Sequence, residues 1–306
     1  MAVVGVREIS QRLTEWRNRR STVSPQPAPS TLIDPQADAL LRSEGWVVVD
    51  LLDPAEAASL LSRCTELHPG SGTGWESDFY SPDAEIKRAA HAAIADGLAP
   101  GIERCFVDHR SVLHNFVMNW PGPEGGLVLH QHSTVVDERR FRSVIVWCAL
   151  TPATEQNGTL HVVPRSHLVQ RGPRPEHTPS WHEDHEEVLL RDHLTSVPVA
   201  PGQALVFDNQ LLHCSFANAT GEPRLTAAAV VVPNEAEVCY FAPGGAGRVE
   251  VYHVDPEFFF SREAGSFEWA SPEGLPLVRE QAWEPTVVDT ASLAAMLPAG
   301  TCRHER

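Results

Sequence analysis

From about residue 105 onward, the chain is a succession of short apolar runs separated by turn residues. This pattern constrains the fold more than any other feature. Each run has the length of a strand, and turn signals such as APGQ and EQNG stand between the runs. Such spacing is typical of a β sandwich or barrel, and it argues against a parallel α/β sheet, whose strands alternate with long helices. The runs are SVLHNFVMNW, GGLVLHQHS, RSVIVWCALT, GTLHVVPRS, TSVPVAPGQALVFD, LLHCSFANA, RLTAAAVVVP and VCYF.

Helices are predicted on both sides of this β region. The segment DPQADALLRSEGW predicts a helix that ends at Gly45, and WVVVDLL predicts a strand after it. In DPAEAASLLSRCTEL, Asp53 is a suitable N-cap and Pro54 suits the first helical position. DPEFFFSREAG and DTASLAAML predict short helices near the C-terminus. The expected fold class is therefore mainly β with flanking helices.

The start of the chain is predicted to stand apart from the β domain. A short helix is expected over residues 7–20, where apolar residues recur at helical spacing. The Pro/Ser-rich segment STVSPQPAPS follows it and is typical of a linker. We expect this helix and linker to occupy residues 1–34, and one domain with a C-terminal extension to occupy residues 35–306.

Charge and cysteine usage narrow the partners and the compartment. The formal net charge is -16, from 40 acidic and 24 basic residues, and no basic stripe indicates a nucleic-acid-binding face. No apolar run reaches the ~18 residues of a membrane helix, and the first residues lack a signal-peptide core. The 6 cysteines form no CxxC pair, which is typical of reduced thiols in the cytoplasm. We expect a cytoplasmic protein without nucleic-acid or membrane partners, and a homodimer is left open.

Three of the 15 histidines stand out by position. His130 and His132 are two apart on a predicted strand and therefore share a face, and His213 ends another apolar run. Two ligands from one strand and one from a distant strand suit a facial metal site. Imidazole binds iron, zinc, copper and nickel alike, and a pair of strand histidines is more often structural than metal-binding.

The order of several motifs decides between these interpretations. The stretch HQH...RSVIVWCALTPATEQNGTLHVVPRSH...VPVAPGQALVFDNQLLHCSFANATGEPRLTA resembles the phytanoyl-CoA dioxygenase family. The resemblance extends over about residues 40–235 and is strongest over 128–229. It implies a double-stranded β-helix, which is a cupin-like jelly roll, that uses Fe(II), 2-oxoglutarate and O2. It also implies iron ligands at His130 and His213, a 2-oxoglutarate-binding arginine at Arg224, and a co-substrate pocket that includes Ser215, Trp147 and Gln131.

The chemistry of Arg224 agrees with that implied role. A dicarboxylate that chelates a metal at one end needs an anchor at its other end, and a guanidinium clamps a carboxylate in bidentate fashion. Thr226 lies on the same strand face and offers a hydroxyl donor. Without the family, a surface arginine after the GEPR turn is the simpler interpretation. The motif PRSH differs from the family at Arg165, where glycine is usual, so the local turn is expected to differ.

His132 is a departure from the family, which has His-x-Asp at this place. One hypothesis is that His132 is itself a ligand, in a three-histidine iron site. A second is a vacant position that holds a halide, for which histidine is too large. A third is that Asp137 or Glu138 replaces the carboxylate, which requires a tight turn, and a fourth is an inactive scaffold. Three-histidine iron sites occur in cupin-like oxygenases that do not use 2-oxoglutarate, which leaves the co-substrate open.

An insert over about residues 168–195 is predicted to act as a lid over the substrate. RPEHTPSWHEDHEEVLLRDH carries 4 histidines and 6 acids against 2 arginines, which favours a cationic substrate unless the loop is simply solvated. His182 and His185 offer an adventitious zinc site, although their spacing fits no structural zinc pattern. Asn115, Asn119 and Trp120 are candidate substrate residues, with a place in the strand core as the equal alternative.

The function expected from these patterns is a non-haem Fe(II) oxygenase. Iron would be held by His130, His132 and His213, and 2-oxoglutarate would pair with Arg224. The product would be a hydroxylated or desaturated small molecule. Two alternatives remain: a three-histidine dioxygenase that does not use 2-oxoglutarate, and a non-catalytic jelly roll that binds a metal or ligand.

Overall fold

The computed structural model describes residues 30–70, 72–170, 172–175, 178–245, 247–255, 258 and 274–300. The chain divides into two compact units, residues 1–30 and 31–306. The predicted N-terminal helix, the Pro/Ser linker up to residue 29 and most of the predicted helix DPEFFFSREAG lie outside the described residues. The domain boundary expected at residue 34 stays a prediction.

Strands dominate the described part of the chain, and every strand pair in it is antiparallel. In chain order the strands are β1 (Trp46–Asp50), β2 (Trp75–Ser77), β3 (His109–Asn119), β4 (Leu127–His130), β5 (Val144–Ala149), β6 (Leu160–Val162), β7 (Thr195–Ser196), β8 (Gln203–Asp208), β9 (His213–Ser215), β10 (Arg224–Pro233), β11 (Cys239–Pro243), β12 (Arg248–His253) and β13 (Leu277–Ala282).

The helices are α1 (Pro35–Glu44), α2 (Pro54–Leu67), α3 (Ala84–Cys105), α4 (Glu186–Asp192) and α5 (Thr290–Met296). Single 3-10 turns lie at Asp78–Tyr80, Glu155–Asn157, Ser166–Leu168 and Glu183–His185. None of the helices in the described ranges combines the length and the apolarity that crossing a membrane requires.

The strands form a major sheet, a minor sheet and a small third sheet. The major sheet has the order β1-β8-β5-β10-β3-β2, the minor sheet β4-β9-β6-β7, and the third β11-β12-β13. The inner face of the major sheet and the minor sheet together enclose one hydrophobic cluster, which includes Ile145, Trp147, Leu160 and Val162. Two antiparallel sheets that share a core form a β sandwich, the architecture to which the double-sheet jelly roll belongs. The predicted fold, mainly β with flanking helices, is confirmed.

The central strands of the major sheet are buried on both faces. In β5, Val144 and Val146 belong to the outer cluster, whereas Ile145 and Trp147 belong to the inner one. Successive side chains of a strand point to opposite faces, so each face of β5 needs its own cover. The outer face packs against α1, α2 and α3, and the inner face is left for the cavity between the sheets.

The predicted helix ends of α1 and α2 are confirmed. Gly45 closes α1 with φ 87°, and Asp53 caps α2 in a capping box with Glu56. The long helix α3 was not predicted, because Gly97 and Pro100 interrupt its sequence as helix breakers would. A Cβ at Gly101 would lie 2.6 Å from the carbonyl oxygen of Leu51, so α3 uses glycine to approach the chain closely.

Candidate metal centre and cavity

Three histidines from the minor sheet and its adjoining loop converge at one point. His130 ends β4 and is paired in register with His213, the first residue of β9. His132 follows two residues after the strand, and its Nε2 lies 3.2 Å from Nε2 of His213. One nitrogen from each ring can be chosen so that all three lie within 4.8 Å of one another. The sequence predicted His130 and His132 on one strand face, but β4 ends at His130 and the loop after it brings His132 to the site. The register between β4 and β9 brings His213 to the other two rings.

Hydrogen bonds set the tautomers of two of these rings. Nδ1 of His130 donates to the carbonyl oxygen of Val128 and Nδ1 of His213 donates to that of Leu211, each at 2.9 Å. The Nε2 atoms of these two rings are therefore unprotonated and carry lone pairs. This arrangement, a carbonyl behind each ring, is the one that orients metal-ligating histidines in proteins.

Burial keeps the three rings neutral. It lowers the pKa of His130 to about 4 and the pKa of His132 to about 3, and it lowers the pKa of His213 well below its ordinary value. A neutral imidazole is the form that binds a metal, since a proton does not compete for the lone pair. The donor set of three neutral nitrogens therefore fits a divalent transition metal such as iron.

Neither nearby carboxylate takes the place of the family's aspartate. Asp137 pairs with Arg139 at 2.7 Å and with Arg279 at 3.2 Å, and Glu138 pairs with Arg174 at 2.6 Å. Within the described ranges, the ligand cluster consists of the three histidines alone. The hypothesis that an acid replaces His132 as ligand is not supported by this geometry.

Arg174 ties the insert to the loop that carries His132. Its Nε donates to the carbonyl oxygen of His132 at 2.7 Å, and its two terminal nitrogens donate to Glu138 at 2.8 and 2.6 Å. Its backbone N–H donates to Oγ1 of Thr134 at 2.9 Å. Sequence reasoning missed this residue, because no local pattern links an arginine to a carbonyl 42 residues away.

A cavity of about 290 Å³ lies between the two sheets and opens onto the three histidines and Arg224. Most of its wall is apolar or aromatic, which suits a small-molecule site. Asn209 also lines it and donates to the backbone oxygen of Ser133 at 2.9 Å, next to His132. The apolar wall includes Trp75, Phe79, Tyr80, Leu113, Val117, Leu127, Val135, Ile145, Trp147, Leu160, Phe207, Val230, Tyr240 and Phe241.

Arg224 is fully buried and has no acidic partner among the residues that the structure describes. Its side chain is 0% exposed, so the interpretation as a surface arginine is wrong. Its Nη1 donates to Oγ1 of Thr226 at 3.1 Å, its guanidinium carbon lies 5.0 Å from the centre of the Trp147 ring, and its Nε has no partner. Burial lowers its pKa to about 9, so the group still carries its charge at neutral pH. A buried charge without a counter-ion is costly, and an anionic ligand would offset that cost.

The other residues implied for co-substrate binding have different surroundings. Gln131 and Trp147 line the cavity. The Thr226 hydroxyl donates to the carbonyl oxygen of Val117 at 3.0 Å, so Thr226 holds Arg224 in place and has no proton left for a ligand. Ser215 is buried with an unpartnered hydroxyl, but it is not among the residues that line the cavity.

Of the three candidate substrate residues, the structure brings one to the cavity. Asn115 lines it and donates to the Ser77 hydroxyl at 2.8 Å. Asn119 donates to the carbonyl oxygen of Phe216 at 2.9 Å, and Nε1 of Trp120 donates to Glu76 at 2.7 Å. Neither Asn119 nor Trp120 lines the cavity, and for both the alternative interpretation as strand core fits the geometry.

The second half of the insert is a packed element. Trp181, Leu189 and Leu194 share a hydrophobic cluster with Leu212 of the loop before β9 and Leu293 of α5. The interpretation of these residues as a solvated loop is therefore wrong. The cluster anchors the insert beside the strands that carry His130 and His213.

The insert's described histidines bond to backbone carbonyls, which argues against a zinc site. Nε2 of His182 bonds to Leu129 at 3.2 Å, Nε2 of His185 to Val288 at 2.8 Å, and Nδ1 of His193 to Pro298 at 2.7 Å. A second cavity, of about 350 Å³, lies between this insert and the loop that carries His132. Its lining includes His130, Gln131 and Arg174.

Comparisons with known proteins agree with the motif resemblance. The model of the phytanoyl-CoA dioxygenase family matches residues 42–226. The methylphosphonate hydroxylase of Gimesia maris is 26% identical over 216 residues, which is 64% of this chain and 79% of that protein. Among solved structures, the non-heme alpha ketoglutarate dependent carbocyclase SnoK from nogalamycin biosynthesis is 20% identical with a TM-score of 0.51, covering 83% of this chain and 100% of that one. The epimerase SnoN from the same biosynthesis is 22% identical with a TM-score of 0.48, over 80% of this chain and 97% of that one.

Proposed function

Because this chain belongs to the phytanoyl-CoA dioxygenase family, whose members use Fe(II), 2-oxoglutarate and O2, we propose that it oxidises a small molecule at a three-histidine iron centre. The family makes it an oxidoreductase of the Fe(II)/2-oxoglutarate type. The proposal extends this to the ligands His130, His132 and His213 and to Arg224 as the anchor for 2-oxoglutarate.

The observation that supports the proposal most is the state of Arg224. A guanidinium that is 0% exposed, has an unpartnered Nε and makes no ion pair in the described ranges faces the same cavity as three metal-competent imidazoles. One anion that reaches both features satisfies the buried charge and the metal together. A dicarboxylate with a keto group next to one carboxylate has the chemistry for this.

Each part of the site has a separate task in this proposal. Iron, when bound, supplies the activation of oxygen that is coupled to the decarboxylation of 2-oxoglutarate. The Nε2 atoms of His130 and His213 would hold the metal, while their Nδ1 atoms stay bonded to carbonyl oxygens. Arg224 binds the far carboxylate, and the Thr226 hydroxyl keeps the guanidinium oriented. The aromatic wall excludes water and orients the substrate.

A second enzyme function is favoured by one observation, the neutral third ligand His132. Three neutral nitrogens resemble the iron sites of cupin-like oxygenases that do not use 2-oxoglutarate. The buried Arg224, which makes no ion pair in the described ranges, argues against this alternative, since without 2-oxoglutarate no carboxylate would offset the cost of burying this charge.

The experiment that tests the proposal uses the anaerobic Fe(II) protein. Addition of 2-oxoglutarate should produce a visible charge-transfer band, and admission of air should produce succinate. Arg224→Met should weaken 2-oxoglutarate binding by about a hundredfold, because a buried charge pair is lost. Arg248→Met, at an arginine that pairs with Glu280 on the third sheet, is the matched control and should bind 2-oxoglutarate like the wild type.

Two results would count against the proposal. If the wild-type protein gave no band and consumed oxygen with a substrate without forming succinate, the enzyme that does not use 2-oxoglutarate would be correct. If it retained iron tightly but showed neither a band nor oxygen uptake, the non-catalytic jelly roll would be correct.

A further inference from the structure

The metal centre lacks the negative charge that the family places there. The family's carboxylate position holds His132, and the cluster consists of three histidines, each of which binds a metal through the lone pair of a neutral imidazole. A bound Fe(II) would keep its full double positive charge, because no ligand in the cluster offsets it.

The cavity wall does not supply the missing charge either. Among the described residues that line it there is no aspartate, glutamate or lysine, and Arg224 is the charged side chain. The nearest acids in sequence to the ligands and to Phe207 are already paired. Glu138 pairs with Arg174 at 2.6 Å, Asp137 with Arg139 at 2.7 Å, and Asp208 with Arg142 at 3.3 Å.

On the proposed function, the site with bound Fe(II) and 2-oxoglutarate carries one positive charge in excess. Fe(II) carries two positive charges and Arg224 one, and 2-oxoglutarate brings two negative charges. One positive charge remains in an apolar, enclosed space, where the family's carboxylate would have made the sum zero. An unbalanced charge in such surroundings favours the binding of one further anionic group.

We propose that the substrate is a monoanion, whose negative group is held beside the three-histidine centre. The rest of the substrate is apolar, because Trp75, Phe79, Leu113 and Val135 line the remaining cavity. The cavity of about 290 Å³ has room for 2-oxoglutarate and a body of roughly one ring, since a void of about 150 Å³ holds benzene.

The acidic residues of the insert led us to expect a cationic substrate. The positions of these residues in the structure argue against that expectation. None of its described acids lines the cavity that contains the histidines. Glu183 lines the second cavity and accepts a hydrogen bond from the backbone of Ser180 at 2.8 Å. The charge that a substrate meets at the reacting centre is therefore positive.

The test uses Co(II)-loaded protein saturated with 2-oxoglutarate, which binds ligands without turnover. Benzoate and benzamide have the same shape and differ by one charge. Their dissociation constants are measured by calorimetry and by the visible spectrum of Co(II). Benzoate should bind at least about tenfold more tightly than benzamide, because it removes the unbalanced charge.

A matched pair of variants tests the origin of this preference. Asn115→Asp adds one negative charge to the cavity wall at nearly constant shape, and the Ser77 hydroxyl can donate to it. This variant should lose most of the preference for benzoate. Asn234→Asp adds the same charge at an exposed residue and should keep the preference.

The outcomes separate the two proposals. If 2-oxoglutarate binds but benzoate and benzamide bind equally, the monoanion inference is overturned and the proposed function stands. If Asn115→Asp keeps the full preference, the unbalanced cavity charge is not its cause and the inference is overturned. If 2-oxoglutarate does not perturb the Co(II) spectrum of the wild type, the proposed function itself fails.

Discussion

At the scale of single residues, Arg165 departs from the family's residue but adopts a backbone conformation that suits glycine. The family has glycine here, and the sequence led us to expect a different turn. Arg165 instead adopts φ 68° and ψ -1°, the left-handed conformation that glycine adopts readily, and its N–H donates to the carbonyl oxygen of Glu44 at 2.8 Å. The local conformation suits glycine, and the arginine bears the strain of adopting it.

Replacement of this residue should therefore stabilise the protein. Arg165→Gly should raise the free energy of unfolding by about 0.5–1 kcal/mol, because relief of a left-handed side-chain conformation outweighs the added entropy of glycine in the unfolded chain. Urea titration measures the change. Arg165→Ala is the control, since alanine keeps the strain and should give no gain. An Arg165→Gly protein less stable than the wild type would contradict the prediction.

His114 offers a pH-dependent prediction away from the metal centre. It lies on β3 with its Nδ1 3.0 Å from Nδ1 of His91, and burial lowers its pKa to about 3. The folded protein keeps this ring neutral while the unfolded chain protonates it near its ordinary pKa of 6.5. The unfolded state therefore binds more protons between those values, and stability falls as the pH is lowered from about 6.5 towards 3.

The variant His114→Asn removes this titration and keeps a polar atom near the place of Nδ1. The slope of unfolding free energy against pH should decrease by up to about 1.4 kcal/mol per pH unit in that interval. Denaturant titrations from pH 4 to 7 measure it. Equal slopes for wild type and His114→Asn would contradict the assignment.

At the scale of elements, Arg174 joins the insert to the loop that carries His132. The insert packs on the strands that carry His130 and His213, and Arg174 bonds the backbone of His132, the third proposed ligand. The element predicted as a lid therefore also supports the proposed metal centre, because a charge-assisted hydrogen bond holds the loop that carries His132. Its role as a cover over the substrate stays a prediction.

Loss of this support should weaken metal binding more than it weakens the fold. Arg174→Met should lower the affinity for Co(II) by about tenfold, because the loop with His132 loses its anchor. Metal titration with the apo protein measures the affinity. Glu138→Gln removes the ion pair but leaves the bond from Nε to His132, and it should keep most of the affinity. If Glu138→Gln lost as much affinity as Arg174→Met, the bond to His132 would not be the cause.

At the scale of the whole molecule, the candidate site spans the two sheets of the jelly roll. The minor sheet provides His130 and His213, and the major sheet provides Arg224 and Trp147. A ligand that contacts both sheets binds only the folded state and stabilises it by mass action, by about 2.7 kcal/mol at a hundred times its dissociation constant.

Thermal unfolding should follow this linkage in two steps. Ni(II) should raise the Tm of the apo protein, and 2-oxoglutarate should raise it further only when the metal is present. His213→Ala should lose both increments, whereas Arg224→Met should keep the first and lose the second. A second increment that survives in Arg224→Met would place the 2-oxoglutarate anchor elsewhere.

Much of this molecule follows from local sequence patterns. Apolar runs separated by Gly/Pro turns predicted the strands, and cap residues such as Asp53 predicted where helices begin. The order of several motifs indicated His130, His132, His213 and Arg224. These features depend on neighbours in the chain, through backbone hydrogen bonds and the two-residue period of a strand. These features can therefore be predicted before any tertiary structure is known.

The tertiary structure alone decided what lies beside each of these residues. Packing brought Arg174 to His132, paired Asp137 and Glu138 with arginines, and buried Arg224 without a counter-ion. It also placed Asn119 and Trp120 in the strand core and kept α3 helical despite its glycines and proline. Contacts across tens of residues, and the free energy of burying a charge, depend on how whole elements pack together, and no local pattern carries that information.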